Sequence, residues 1–278
     1  MPGTLTRPAV PRGATPQPPA SHRRTLCFEN PAPHAGHRIV LYGPGGVGKT
    51  SLADLAPGPV ASFDLDDSHA VLHPKHTKRI GGVESWDDLR AVLNGEGWDK
   101  VRTIVVDSAT RAEEFAVAWA IANVPHEKGN RISRIEDYGF GKGYQHVYET
   151  FLTLLGDLDR HVRTGRNVIL ICHDCTTSVP NPQGEDWQRY EPRLQSPSSG
   201  KASIRLRVRE WADHVFFLGY DVDVKDGKGH GCGTRTLWPV EMPHCMAKSR
   251  RLTDPIPVYP NDAAVWNALF SQPEAKEG

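Results

Sequence analysis

The chain has 278 residues, 38% hydrophobic and 24% charged, which is one large domain or two small ones with material for a full core. Lysine plus arginine and aspartate plus glutamate number 33 each, so no global field draws the protein to nucleic acid or membrane, and any polyanion contact must come from local patches. No run approaches the ~18 apolar residues of a membrane span, and the first 25 residues lack a signal-peptide core, so the expected location is cytoplasmic.

Residues 1–24 hold Pro2, Pro8, Pro11, Pro16, Pro18 and Pro19 with four arginines and no acid. Such a segment buries too little apolar surface to offset its ordering entropy, which predicts a disordered tail ahead of a folded domain at 25–278. From His37 the pattern becomes strand, loop, helix, repeated. A strand is expected over His37–Tyr42, then a glycine-rich loop over Gly43–Gly48 and a helix from Lys49 that must stop before Pro57. A second strand follows at Val60–Leu65, and Ser85 is placed to N-cap a helix through Leu93. Val101–Val106 is a β-branched run ending at Asp107, the profile of a buried parallel strand. Helical patterns cover Thr110–Asn123 and Tyr144–Arg163, with further buried strands at Asn167–Cys172 and Asp213–Gly219. Residues 221–233, rich in Gly and Asp, predict a hairpin turn, and Asn261–Phe270 a last short helix. Strands alternating with helices imply an α/β fold, a mainly parallel sheet flanked by helices.

Gly43-Pro44-Gly45-Gly46-Val47-Gly48-Lys49-Thr50 fits G-x-x-x-x-G-K-[ST] between a predicted strand and a predicted helix, the context that identifies a P-loop. Glycines let successive backbone N–H groups turn toward phosphates, and the helix N-terminus adds its dipole. Lys49 is expected on the β- and γ-phosphates and Thr50 on Mg2+, with Ser51 completing the ATP-binding segment. A carboxylate ending a later buried strand should serve the metal side, and Asp107 occupies that position. Phe63-Asp64-Leu65-Asp66-Asp67 follows the second strand, so Asp66 and Asp67 both qualify to orient an attacking water. His173 ends the strand Val168–Cys172, where a polar group can sense the γ-phosphate. The five cysteines are scattered and suit reduced thiols. Cys172-His173-Asp174-Cys175 is no zinc site on this reading, because alternation aims Cys172 and His173 at opposite faces.

Several further segments carry a family resemblance. Tyr138-Gly139-Phe140-Gly141-Lys142-Gly143-Tyr144 precedes the long helix, and Gly184-Glu185-Asp186-Trp187-Gln188-Arg189-Tyr190-Glu191-Pro192 lies beyond His173. Arg209-Glu210-Trp211-Ala212-Asp213-His214-Val215 precedes the next strand, and Ala247-Lys248-Ser249-Arg250 lies near the end. With the P-loop, the acidic second strand and the Ile-Val-Val-Asp-Ser strand, the order resembles the phage-encoded RecA-like ATPases of the single-strand-annealing recombination group, over about residues 36–260. The resemblance implies a RecA-like P-loop NTPase core that binds ATP and Mg2+ and acts with single-stranded DNA in the cytosol of a bacterial host. It also implies a homo-oligomer and a single-strand-binding or recombination partner protein. It assigns Asp66 to the attacking water and His173 to γ-phosphate sensing. Lys248 and Arg250 resemble a Lys-x-Arg pair that reaches ATP from a neighbouring subunit, although the Phe-Gly that completes that motif is missing.

Two predicted loops interleave cations with aromatics as single-strand grooves do: 126–144, with Lys128, Arg131, Arg134, Lys142, Tyr138, Phe140 and Tyr144, and 174–201, with Trp187, Arg189, Tyr190 and Arg193. Arg205, Arg207 and Arg209 are expected on a helix with a solvated face. Two other classes compete with a DNA-dependent ATPase. One is an annealing or loader module that uses ATP as a conformational ligand, and the other is a P-loop small-molecule kinase.

Overall fold

The computed structural model describes Leu26, Phe28 and residues 36–271 apart from Ser199. The tail expected at 1–24 lies outside the described residues.

The elements in chain order are β1 (Arg38–Tyr42), α1 (Lys49–Asp54), β2 (Val60–Asp64), α2 (His69–Leu72), β3 (Thr77–Ile80), α3 (Trp86–Asn94), β4 (Thr103–Asp107) and α4 (Ala109–Asn123). After a 3-10 turn at Ile135–Tyr138 come α5 (Lys142–Arg163), β5 (Asn167–Cys172), β6 (Asp174–Val179), β7 (Trp187–Pro192) and α6 (Ile204–Trp211). The chain continues through β8 (His214–Lys225), β9 (Lys228–Trp238), β10 (Ile256–Pro257) and α7 (Ala264–Phe270). Eight strands form one sheet in the order β10-β9-β8-β1-β5-β4-β2-β3, and β6 pairs with β7 in a separate hairpin. From β8 to β3 all neighbours are parallel, while β9 and β10 join antiparallel.

Alternation along each central strand divides the core between two faces. Val40 and Tyr42 of β1 join Ile104, Val106, Leu89, Ala116, Phe151 and Leu154 beneath α3, α4 and α5. Ile39 and Leu41 face the other way, with Val105, Ile171, Leu52, Trp266 and Leu269 beneath α1 and α7. Both faces of β1 are therefore covered, which is why Ile39–Leu41 run apolar without alternation after Arg38. This three-layer arrangement is the α/β fold expected from the sequence.

The predicted elements reappear within a few residues, and Ser85 Oγ caps α3 by accepting from Asp88 N at 3.1 Å. The differences lie at the periphery. β3 reads Thr-Lys-Arg-Ile and forms the sheet edge, where lysine and arginine discourage further pairing, so it carries no apolar signal. The segment after His173, expected as a loop, contains the β6–β7 hairpin. The turn expected over 221–233 shrinks to Asp226 and Gly227, both at positive φ, and the flanking residues extend β8 and β9. Arg205–Arg209 are helical, yet Arg205 is not solvated: it sits 2.6 Å from Glu191 with its side chain 12% exposed.

Candidate functional site

Ligands of open α/β sheets gather beyond the carboxyl ends of the strands. Here those ends deliver the P-loop after β1, Asp66 after β2, Asp107 at the end of β4 and His173 after β5. One cavity of about 460 Å³ is lined by Gly45, Gly46, Gly48, Lys49, Thr50, Ser51, Asp66, Asp107 and His173. Residues from four separate strand ends thus share one space.

The loop backbone requires glycine where neighbours crowd it. A Cβ on Gly43 would stand 2.0 Å from the Leu218 carbonyl oxygen, and Gly48 adopts φ +100 with no side-chain cap above α1. Lys49 is buried, and its Nζ donates to the carbonyls of Gly43 (2.7 Å) and Pro44 (2.9 Å). Burial lowers its pKa, opposed by the Asp107 carboxylate. Thr50 Oγ1 donates to Asp107 Oδ2 at 2.6 Å. Burial raises the Asp107 pKa, and the nearby Asp66 and Asp64 charges push the same way, while the Thr50 hydroxyl opposes them. Two hard oxygens held this closely are the donor chemistry that Mg2+ takes from protein.

The acids after β2 separate into three roles. Asp64 is buried and accepts from Ser68 N (2.8 Å), Ser68 Oγ (3.0 Å) and His69 N (3.2 Å), with Arg79 Nε at 3.0 Å. It builds the turn into α2. Asp67 points outward to Arg79 with its side chain 82% exposed. Asp66 alone of the three lines the cavity. Its pKa is lowered, first by the His173 ring, whose Nε2 stands 3.5 Å away, against partial burial. His173 is pinned by its backbone, N donating to Thr110 Oγ1 (3.1 Å) and O accepting from Arg193 N (2.8 Å).

Lys248 and Arg250 lie outside this cavity's lining. Lys248 Nζ donates to the carbonyls of Arg209 (2.8 Å) and Ala212 (2.6 Å), closing the C-terminus of α6. Its backbone pairs with Val215 of β8 in both directions. Arg250 Nε stands 3.5 Å from Asp213, its side chain 69% exposed. Within one chain these cations do not meet the phosphate loop.

Sequence reasoning missed Arg235. It arrives from β9, 188 positions from Val47, and donates Nη1 to that residue's carbonyl at 2.9 Å inside the same cavity. Ser68, Val71 and Leu72 of the α2 region complete the wall. A lone arginine in a Gly- and Thr-rich hairpin carries no local signal.

The segments read as DNA contacts are partly committed within the chain. Tyr138 is buried, donating to the carbonyls of Ala120 (2.9 Å) and Val124 (2.7 Å). Lys142 pairs with Glu127 and Arg134 with Asp137, while Arg189 bridges Glu191 and Glu241. Phe140, Trp187 and Tyr190 remain exposed, and Tyr190 stacks on Phe217 with centroids 5.1 Å apart.

The AAA domain family matches residues 35–251. The chain belongs to the AAA domain family. The match spans every strand-end residue that lines the cavity, so this AAA domain contains the phosphate loop, Asp66, Asp107 and His173 together. Among solved structures the AAA domain is similar to a KaiC-like protein from the archaeon Pyrococcus horikoshii OT3, at 15% identity over 82% of this chain and 88% of that one, TM-score 0.41. It is similar also to the flagellar accessory protein FlaH from Methanocaldococcus jannaschii, at 12% identity over 73% and 77%, TM-score 0.35. No curated protein matches the sequence. Among the described residues, no helix of this AAA domain is long and apolar enough to cross a membrane.

Proposed function

We propose that this chain binds Mg-ATP, hydrolyses it, and uses the nucleotide to handle or anneal single-stranded DNA in phage-type recombination or replication. The observation that carries the hydrolytic reading is the one cavity shared by the phosphate loop, the Thr50–Asp107 pair and the Asp66–His173 pair.

On this reading the phosphates lie against the loop N–H groups, and Lys49 exchanges two carbonyls for phosphate oxygens. Thr50 and Asp107 would hold Mg2+, which supplies charge neutralisation on the phosphate oxygens. Asp66 stays ionised beside His173 and accepts a hydrogen bond from the attacking water. The water oxygen bonds to the γ-phosphorus, the bond to the β,γ-bridging oxygen breaks, and the water proton passes by way of Asp66 to solvent. ADP and inorganic phosphate leave. His173, on the wall of the same cavity beside Asp66, is the residue placed to sense the γ-phosphate.

The DNA reading is supported by the motif resemblance and by the exposed rings of Phe140, Trp187 and Tyr190, since stacking contributes ~1–3 kcal/mol per base. Lys142, Arg134 and Arg189 are already paired, so the charge contribution falls to the exposed Lys128, Arg131 and Arg193. A homo-oligomer with Arg250 facing a neighbour's phosphates, and a recombination or single-strand-binding partner protein, belong to the same reading, as does a cytoplasmic setting.

The test is nucleotide hydrolysis titrated with single-stranded and with duplex DNA. Stimulation by single strands alone supports the full reading. Binding without turnover moves ATP to a conformational role, and phosphoryl transfer to a nucleoside moves the protein to the kinases. Trp187→Ala should weaken single-strand binding while leaving its salt slope unchanged, because stacking releases no counterions.

A further inference from the structure

The β8–β9 hairpin is fastened to the phosphate loop at three places. Leu218 lies against Gly43 closely enough to exclude a Cβ there. Tyr220 Oη donates to the Gly46 carbonyl at 3.0 Å. Arg235, paired with Tyr220 across the ladder, reaches the Val47 carbonyl, and a Cβ on Gly48 would stand 2.4 Å from the same Nη1. The loop's glycine therefore makes room for this guanidinium.

Other arginines of the region differ in their partners. Arg189, Arg205 and Arg209 are each held by Glu191 or Glu241. The Arg235 guanidinium has, among the described residues, one neutral carbonyl as its hydrogen-bond partner. A guanidinium carries five N–H donors in a planar fork that matches multi-oxygen anions. Part-buried at the wall of the cavity that holds Lys49, Thr50 and Asp107, most of that fork is unspent. Lys49 shows the same state, its ammonium resting on two loop carbonyls.

We propose that Arg235 is a phosphate-contacting residue supplied in cis by the β8–β9 hairpin. When the triphosphate enters, the guanidinium leaves Val47 O for phosphate oxygens and remains on the charge that develops as the γ-phosphoryl group transfers to water. A cation so placed is worth roughly 10³–10⁵ in rate in P-loop enzymes, whether it comes from the same chain or another. The active site then has a cation from its own chain on the γ-phosphoryl group, independent of any that a neighbour adds. This inference rests on the nucleotide reading above.

The experiment compares full-length wild type, Arg235→Gln and Arg235→Lys for ATP binding, kcat and KM, with thermal unfolding as the check on folding. Glutamine keeps an N–H for the Val47 carbonyl and loses the charge, so a residue that merely shapes the loop would keep kcat and KM within about threefold in Arg235→Gln. The expected result is a loss of about 10²-fold or more in kcat for Arg235→Gln, partial retention in Arg235→Lys, and partial rescue of Arg235→Gln by millimolar guanidinium. Mixing Arg235→Gln with Asp66→Asn chains should restore nothing, and restored activity would overturn the cis assignment. Wild-type kinetics in Arg235→Gln, or a loss that neither lysine nor guanidinium recovers, would overturn the phosphate contact. An active wild type with an unaffected Arg235→Gln sinks this inference alone, whereas a wild type that neither binds nor hydrolyses ATP sinks it together with the nucleotide reading.

Discussion

His173 Nε2 stands 3.5 Å from Asp66 Oδ2 across the mouth of the phosphate cavity, joining the ends of β5 and β2. These residues are more than a hundred positions apart, and the parallel register of β2, β4 and β5 brings them level. The imidazole holds the Asp66 carboxyl below the usual carboxylate range. A carboxylate that resists protonation orients water well and gives up the acquired proton easily.

Asp66→Asn should therefore retain Mg-ATP binding and lose about 10²-fold or more in hydrolysis, as expected when a general base is removed. Asp67→Asn should hydrolyse within about twofold of wild type, since Asp67 faces Arg79 outside the cavity. Steady-state rates beside equilibrium nucleotide binding separate the two. Slow Asp67→Asn with normal Asp66→Asn would reverse the assignment.

Lys49→Ala should abolish measurable ATP binding. Its buried ammonium is the charge closest to the loop carbonyls, and alanine leaves nothing to replace it. Circular dichroism should be unchanged, because Lys49 bonds only within its own loop. ATP titration followed by calorimetry reads the outcome, and wild-type affinity in the folded variant would remove the nucleotide reading.

Lys248→Met should cost about 1–2 kcal/mol of stability, through the carbonyls of Arg209 and Ala212 left without their cation at the end of α6. Urea unfolding measures this. Single-chain ATP affinity should not move. If kcat also falls and is restored on mixing with Asp66→Asn chains, Lys248 leaves its cap to serve a neighbour.

Glu113 on α4 accepts Gln195 N at 2.7 Å, and burial pushes its carboxyl up to about 7 from the usual 4.5. A carboxyl with a raised folded-state pKa contributes stability that is fully present below pH 4.5 and is lost as pH rises through about 7. Glu113→Gln keeps the acceptor without the charge. Relative to wild type it should gain stability between about pH 5 and 8, by a few kcal/mol at most. Parallel pH curves for the two proteins would show that Glu113 is not buried as an acid.

The alternation of strands and helices, both faces of β1 and the eight-residue phosphate loop were legible in the sequence, because each depends on neighbours within a few positions. Three kinds of fact were not. The choice between Asp66 and Asp67 depends on which way the chain turns after β2, and Asp64 sets that turn by binding Ser68 and His69. The strands β3, β6, β7 and most of β9 are edges or hairpins with wet faces, so they lack the apolar run that marks a buried strand. The partners of Lys248 and Arg235 are set by pairings across the sheet, Val215 with Lys248 and Tyr220 with Arg235. A cation's role follows from the groups it meets, and here those groups lie tens to nearly two hundred positions away. The local code therefore specified the loop that receives phosphate, and only tertiary packing decided which charges face it.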